Sequence, residues 1–77
     1  MIKIYTTPAC PVCYVLKTFL KEKGIEFEEI DVANNEKARE EMIQKSGALE
    51  APVIEINGQF IVGFDKNEVV KLLNIKE

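Results

Sequence analysis

Cys10 and Cys13, separated by Pro11 and Val12, are the side chains of this sequence whose type and spacing most directly imply chemistry. A C-x-x-C pair at the start of a helix can form and break a disulfide without unwinding the helix. The helix start carries unpaired backbone N–H groups and a positive dipole end, and both stabilise a thiolate at Cys10. Only a thiolate attacks a disulfide, so Cys10 is the expected nucleophile. Cys13 lies inside the helix and is expected to be more buried. It would act second, attacking the mixed disulfide and releasing the reduced substrate. Pro11 suits the first helical position, where its missing N–H would have no partner anyway.

Composition narrows the chemistry further. The sequence contains no histidine, which excludes Ser-His and Cys-His catalysis and the usual imidazole metal sites. Two cysteines are too few for a disulfide-rich secreted scaffold. The alternatives to a redox dithiol are a pair of inert thiols, half of a zinc site, or a cluster site. A tetrahedral site needs four ligands, so a second chain or an external thiol would have to complete it. The redox reading expects no metal and no cofactor, only a redox-active disulfide and an external reductant. At 77 residues the chain forms one domain, 1–77, of modest stability. A net charge of −3 gives no reason to expect nucleic acid or an anionic membrane as partner. The apolar runs are far too short to span a bilayer. The chain opens on the strand-like Ile2-Lys3-Ile4-Tyr5, not on a basic segment followed by an apolar one. A cytoplasmic monomer is therefore expected.

The elements that must position the dithiol follow from periodicity and punctuation. Residues 2–6 read as a strand. Pro11 to Lys23 reads as a helix with Val12, Val15, Leu16, Phe19 and Leu20 on one face, stopped by Gly24. Ile25 to Val32 suggests a second strand. Asn34 or Asn35 caps a helix running to about Ser46 and stopping at Gly47, with only Ala38, Met42 and Ile43 as its apolar stripe. Pro52–Ile56 and Gln59–Val62 read as strands joined by Asn57-Gly58, a pair suited to the positive φ angles of a type I′ turn. Asp65, with Glu68 three residues later, opens a last helix whose inner face holds Val69, Leu72 and Leu73. The order β-α-β-α-β-β-α predicts an α/β fold, a four-stranded mixed sheet flanked by three helices. The first two strands would be parallel in a right-handed unit, and the hairpin would extend the same sheet.

The segments Ile4-Tyr5-Thr6-Thr7-Pro8-Ala9-Cys10-Pro11-Val12-Cys13, Ala51-Pro52-Val53-Ile54, Asn57-Gly58 and Val62-Gly63-Phe64-Asp65 together resemble the glutaredoxin family. The resemblance covers essentially the whole chain. Around Gly63-Phe64-Asp65 it is nearest to the small YruB-type and NrdH-type redoxins. It implies a thioredoxin-like fold and a thiol–disulfide oxidoreductase that reduces protein disulfides, ribonucleotide reductase being one such acceptor. The reductant would be a thioredoxin-reductase-like flavoenzyme or glutathione. Pattern alone makes Pro52 a strand-start proline with a trans bond. The resemblance instead makes the Ala51–Pro52 bond cis and faces Pro52 towards the dithiol. The Ala51 backbone would then pair with the substrate as a short strand. Pro11, Val12, Gly63, Phe64 and Asp65 complete the substrate contacts that the resemblance implies.

Several positions depart from the usual glutaredoxin pattern. Val12 stands where a tyrosine is common, and Thr7 where a basic residue is common. Glu50-Ala51 replaces Thr-Val, and Val62-Gly63 replaces Gly-Gly. Thr7 removes a cation that would pair with a glutathione carboxylate. Glu50 adds a like charge, or is simply a solvated loop acid. Backbone N–H groups at Phe64 and Asp65 can hold a carboxylate, although Asp65 also reads as a plain N-cap. Phe64 is expected to be an exposed contact beside the groove, with a core plug as the alternative. Tyr14 points off the buried helix face, as surface or as substrate contact. These departures tilt the reductant towards a flavoenzyme and away from glutathione.

Overall fold

The computed structural model describes residues 2–73. Its elements are β1 (Ile2–Thr6), α1 (Pro11–Glu22), β2 (Glu28–Asp31), α2 (Glu36–Ser46), β3 (Val53–Ile56), β4 (Gln59–Val62) and α3 (Lys66–Leu73). The sheet order is β2-β1-β3-β4. β1 runs parallel to β2 and antiparallel to β3, and β3 pairs antiparallel with β4. The expected fold class is therefore present, and β1, which leads to the dithiol, is an inner strand. β2 is an edge strand carrying Glu28, Glu29 and Asp31.

Side chains of a strand alternate between its faces, and here the alternation divides the core in two. Ile4 and Ile54 join Leu16, Leu20, Ile56, Ile61 and Val69 under α1 and α3. Their neighbours Tyr5 and Val53 join Val32, Ala38, Met42 and Ala48 under α2. The sheet is thus covered on both faces, and the ends of its strands are left free to carry loops.

Local signals place most boundaries. Asn35 caps α2, its Oδ1 accepting the Ala38 N–H at 3.1 Å. Asn34 turns back instead, its Nδ2 donating to Asp31. Asn57 and Gly58 have φ angles of 48° and 87°, the left-handed pair that the two-residue hairpin requires. Two expectations need correction. β2 starts at Glu28 because the Ile25 N–H is committed to the Leu20 carbonyl, 2.9 Å away, in the turn that ends α1. On α1 the buried line is Cys13, Leu16 and Leu20, while Val12 and Val15 are 46% and 53% exposed. At about 100° per residue those three fall within about 60° of one another, and Val12 and Val15 lie to one side.

One polar cluster ties β1, α1 and β2 together. Glu29 Oε2 accepts from Lys17 Nζ and from the hydroxyl of buried Thr6, both at 2.9 Å. The Lys17 hydrogen bond holds the Glu29 carboxyl below its ordinary 4.5, helped by Thr6 and opposed by partial desolvation. Both side chains of the ion pair remain solvated, so the pair contributes only about 0–1 kcal/mol. Because the folded carboxyl titrates lower than the unfolded one, this stability is present above the unfolded value and lost as pH falls through the folded one. Glu29→Gln should therefore lose up to about 1 kcal/mol in urea unfolding near pH 7, with the difference shrinking as pH falls below the ordinary carboxylate range. A gap that stays constant across that range would remove charge from the explanation.

Candidate functional site

β1 ends at Thr6, and a short loop delivers the chain to Cys10, the N-cap of α1. Cys10 has an extended backbone, φ −119° and ψ 100°, and Pro11 follows at the first helical position. The Cys13 N–H donates to Cys10 Sγ at 3.0 Å, and the Tyr14 N–H donates to the Cys10 carbonyl at 3.3 Å. The two cysteines form a disulfide with their Cα atoms 5.2 Å apart. Cys13 is 1% exposed, whereas Cys10 is half-buried. An incoming sulfur thus has a path to Cys10 and none to Cys13. The same N–H that contacts Cys10 Sγ, with the dipole of α1 behind it, favours negative charge on that sulfur once the disulfide is open.

Cys10 opens onto a groove of about 680 Å³ at the C-terminal ends of β1 and β2. Four stretches of chain build it: Thr7 to Val12, Val32–Ala33, the first turns of α2 through Glu36, Arg39 and Met42, and Leu49 to Pro52. Five of the residues expected at the site therefore share one wall system: Cys10, Pro11, Val12, Ala51 and Pro52. Thr7 and Glu50 line it as well. The Ala51–Pro52 bond is cis, as the resemblance implies and pattern alone does not. The Pro52 carbonyl accepts the Gly63 N–H at 2.8 Å, extending the β3–β4 ladder by one bond.

Gly63, Phe64 and Asp65 do not line this groove. Gly63, at φ 78°, turns the chain from β4 towards α3. Phe64 is half-buried, packed on the core with its ring 5.7 Å from that of Phe19, and so stands between the exposed contact expected and the core plug that was its alternative. Asp65 acts as the cap, its Oδ1 accepting the Glu68 N–H at 3.3 Å and its carbonyl the Val69 N–H at 3.0 Å. A second, smaller depression of about 330 Å³ lies on the outer side of α1. Tyr14, Val15, Phe19, Phe64, Glu22 and Lys66 surround it.

The residue that sequence reasoning missed is Arg39. It is the sole arginine of the chain, set among nine lysines, and α2 brings it into the groove. A guanidinium suits a carboxylate better than an ammonium does, because its fork of donors is planar and fixed. Its uniqueness was a usable signal, but only the packing of α2 places it near Cys10. Among the described residues no group of three or more His, Cys, Asp or Glu side chains is arranged to hold a metal. No helix among them is long and apolar enough to cross a membrane.

A crystallised thioredoxin-like protein superposes with a TM-score of 0.88 at 32% identity, covering 94% of this chain and 99% of that one. With a disulfide at the start of α1, this likeness defines a class, the thiol–disulfide oxidoreductases built on a thioredoxin-like fold. Within that class the chain belongs to the glutaredoxin family, whose model matches residues 2–61. A glutaredoxin-like 8.6 kDa protein from the rubredoxin operon of Clostridium pasteurianum is 51% identical, over 95% of this chain and 97% of its own length. Glutaredoxin 3 of Escherichia coli is 42% identical, over 83% of this chain and 77% of that one.

Proposed function

We propose that the chain is a dithiol reductase of protein disulfides, with Cys10 as nucleophile and Cys13 as resolving thiol. The observation that carries this is the asymmetry of the pair. Cys10 stands at the groove with an N–H on its sulfur, and Cys13 is sealed beneath. In the reduced protein the Cys10 thiolate attacks one sulfur of the substrate disulfide. That S–S bond breaks, a Cys10–substrate S–S bond forms, and the other substrate sulfur leaves as a thiolate and takes a proton. The Cys13 thiol then loses its proton and attacks Cys10 Sγ. The second substrate thiolate departs and is protonated in turn. Two electrons and two protons have passed to the substrate, and the Cys10–Cys13 disulfide remains. The backbone of Ala51 docks the substrate segment as an added strand, by main-chain hydrogen bonds that tolerate many side chains.

The oxidised pair is re-reduced by a thioredoxin-reductase-like flavoenzyme in this reading. Thr7 offers no positive charge to the groove of Cys10, and Glu50 adds a negative one to it. Arg39 supports the second reading, glutathione as reductant, since it offers one carboxylate a partner in the same groove. The two are separated by following NADPH oxidation with a single disulfide substrate, coupled first through thioredoxin reductase and then through glutathione and its reductase. Faster turnover in the first coupling is expected, and faster turnover in the second would give the protein to glutathione. Thr7→Lys with Glu50→Thr should raise turnover of a glutathionylated peptide by about tenfold, since two exposed charge changes are worth about 1.4 kcal/mol together. The gain should shrink in high salt, where exposed charges are screened. No gain at low salt would mean that these two positions do not set the preference.

A further inference from the structure

Among the described residues, the large apolar side chains left most exposed are Val12, Tyr14, Val15, Leu49 and Val62. Two of them line the groove of the dithiol and two lie on the outer side of the helix that carries it. Val12 and Leu49 line the groove with Cys10. Val62 precedes Gly63, whose N–H meets the Pro52 carbonyl. Tyr14 and Val15 wall the second depression, on the far side of α1. Exposed apolar side chains collected at one end of a small protein mark a contact surface. Phe19 floors the depression and Phe64 leans against it. Glu22 and Lys66 stand at its edge with opposite charges, so it favours neither sign of charge in a guest.

We infer that this depression receives one apolar side chain of a protein substrate, two or three residues from the cysteine that Cys10 attacks. The inference rests on the dithiol-reductase reading and names the kind of substrate which that site prefers. Position decides the occupant. A mixed disulfide ties the substrate sulfur to Cys10 Sγ, so with one flank of the cysteine docked at Ala51 the other flank can run over the first turns of α1. Tyr14 and Val15 are four and five residues beyond Cys10, about 6–8 Å along the helix axis at 1.5 Å per residue. An extended substrate chain covers that distance in two or three residues, at about 3.3 Å each. The space of about 330 Å³ admits a Leu, Met or Phe side chain. A tripeptide thiol with one residue on each side of its cysteine does not reach so far. The depression therefore separates protein disulfides from small ones by reach, without any charge.

Two peptides test this, each closed by one disulfide and identical except for Phe or Ser placed three residues outside each cysteine. Single-turnover reduction by the full-length dithiol protein, at concentrations below saturation, should be about fivefold faster for the Phe peptide. That is the gain when part of an apolar side chain's transfer free energy is recovered. In a Tyr14→Ser/Val15→Ser variant the ratio of the two rates should fall to about one. Both side chains are exposed on α1, so this variant keeps the core intact. A ratio near one in the unmodified protein, or a ratio that the variant leaves unchanged, overturns the inference. Reduction of the peptides at all keeps the two ideas apart. If the unmodified protein reduces neither peptide, the dithiol reading fails and the docking site with it. If it reduces both at equal rates, the docking site alone fails.

Discussion

Cys10→Ser should abolish turnover, while Cys13→Ser should still capture a disulfide substrate and hold it as a mixed disulfide. The expectation comes from geometry, since the two residues are only three apart in sequence but differ sharply in access. Cys13 is 1% exposed, whereas Cys10 opens on the groove. A serine at position 10 leaves no sulfur within reach of a substrate. A serine at position 13 leaves the attacking thiolate and its N–H donor in place, because that donor is the backbone of residue 13 itself. The first variant should lose activity by several orders of magnitude, as happens when a nucleophile is removed. The second should stall after one exchange, visible as a covalent adduct in non-reducing mass spectrometry. Limited alkylation of the reduced protein near neutral pH should label Cys10 before Cys13. Label appearing first on Cys13 would reverse the assigned roles.

Leu20→Ala should be a severely damaging core truncation on α1. Leu20 has no exposed surface and packs among Ile4, Ile54, Ile56, Ile61 and Val69. Removing it discards the transfer free energy of the side chain and leaves a cavity, together about 2–5 kcal/mol. A domain of this length has roughly 4–12 kcal/mol of stability in total. The urea midpoint should therefore fall by about a sixth at the least, and by far more if the total stability is small, with little change in the slope m. Val15→Ala is the control. It sits on the same helix with similar hydrophobicity but lies off the buried line, so its loss should stay within about 0.5 kcal/mol. Equal losses at the two positions would mean that the inner face of α1 is not the one described.

What could be read from the sequence was local. The C-x-x-C pair, Pro11, the Asn57-Gly58 turn and the Asp65 cap are each fixed by neighbours within a few residues, and each appears in the structure where expected. The element order followed from the same punctuation. The face of α1 did not, because five apolar residues on one half of a helix do not say which of them meets the sheet. Sheet contacts at Ile4 and Ile54 select Leu16 and Leu20, and leave Val12 and Val15 to the surface. The half-burial of Phe64 was not legible for a related reason, since its partner Phe19 is 45 residues away in the chain. Arg39 escaped notice because the groove is assembled from four separate stretches, and only tertiary packing brings α2 to the dithiol.

The acidic edge of the sheet has a consequence for how the molecule behaves in a crowd. β2 presents Glu28, Glu29 and Asp31 along one border, and β4, only four residues long, forms the other. Open strand borders invite neighbouring chains to add on, and charge or shortness discourages them. The substrate docking proposed above, a strand added along the Ala51 backbone, gives this restraint a particular use. Strand addition is then discouraged at both borders and welcomed only beside the sulfur that can act on the newcomer. Neutralising the β2 border, for example with Glu28→Val, should leave the fold intact but promote concentration-dependent self-association, detectable by light scattering.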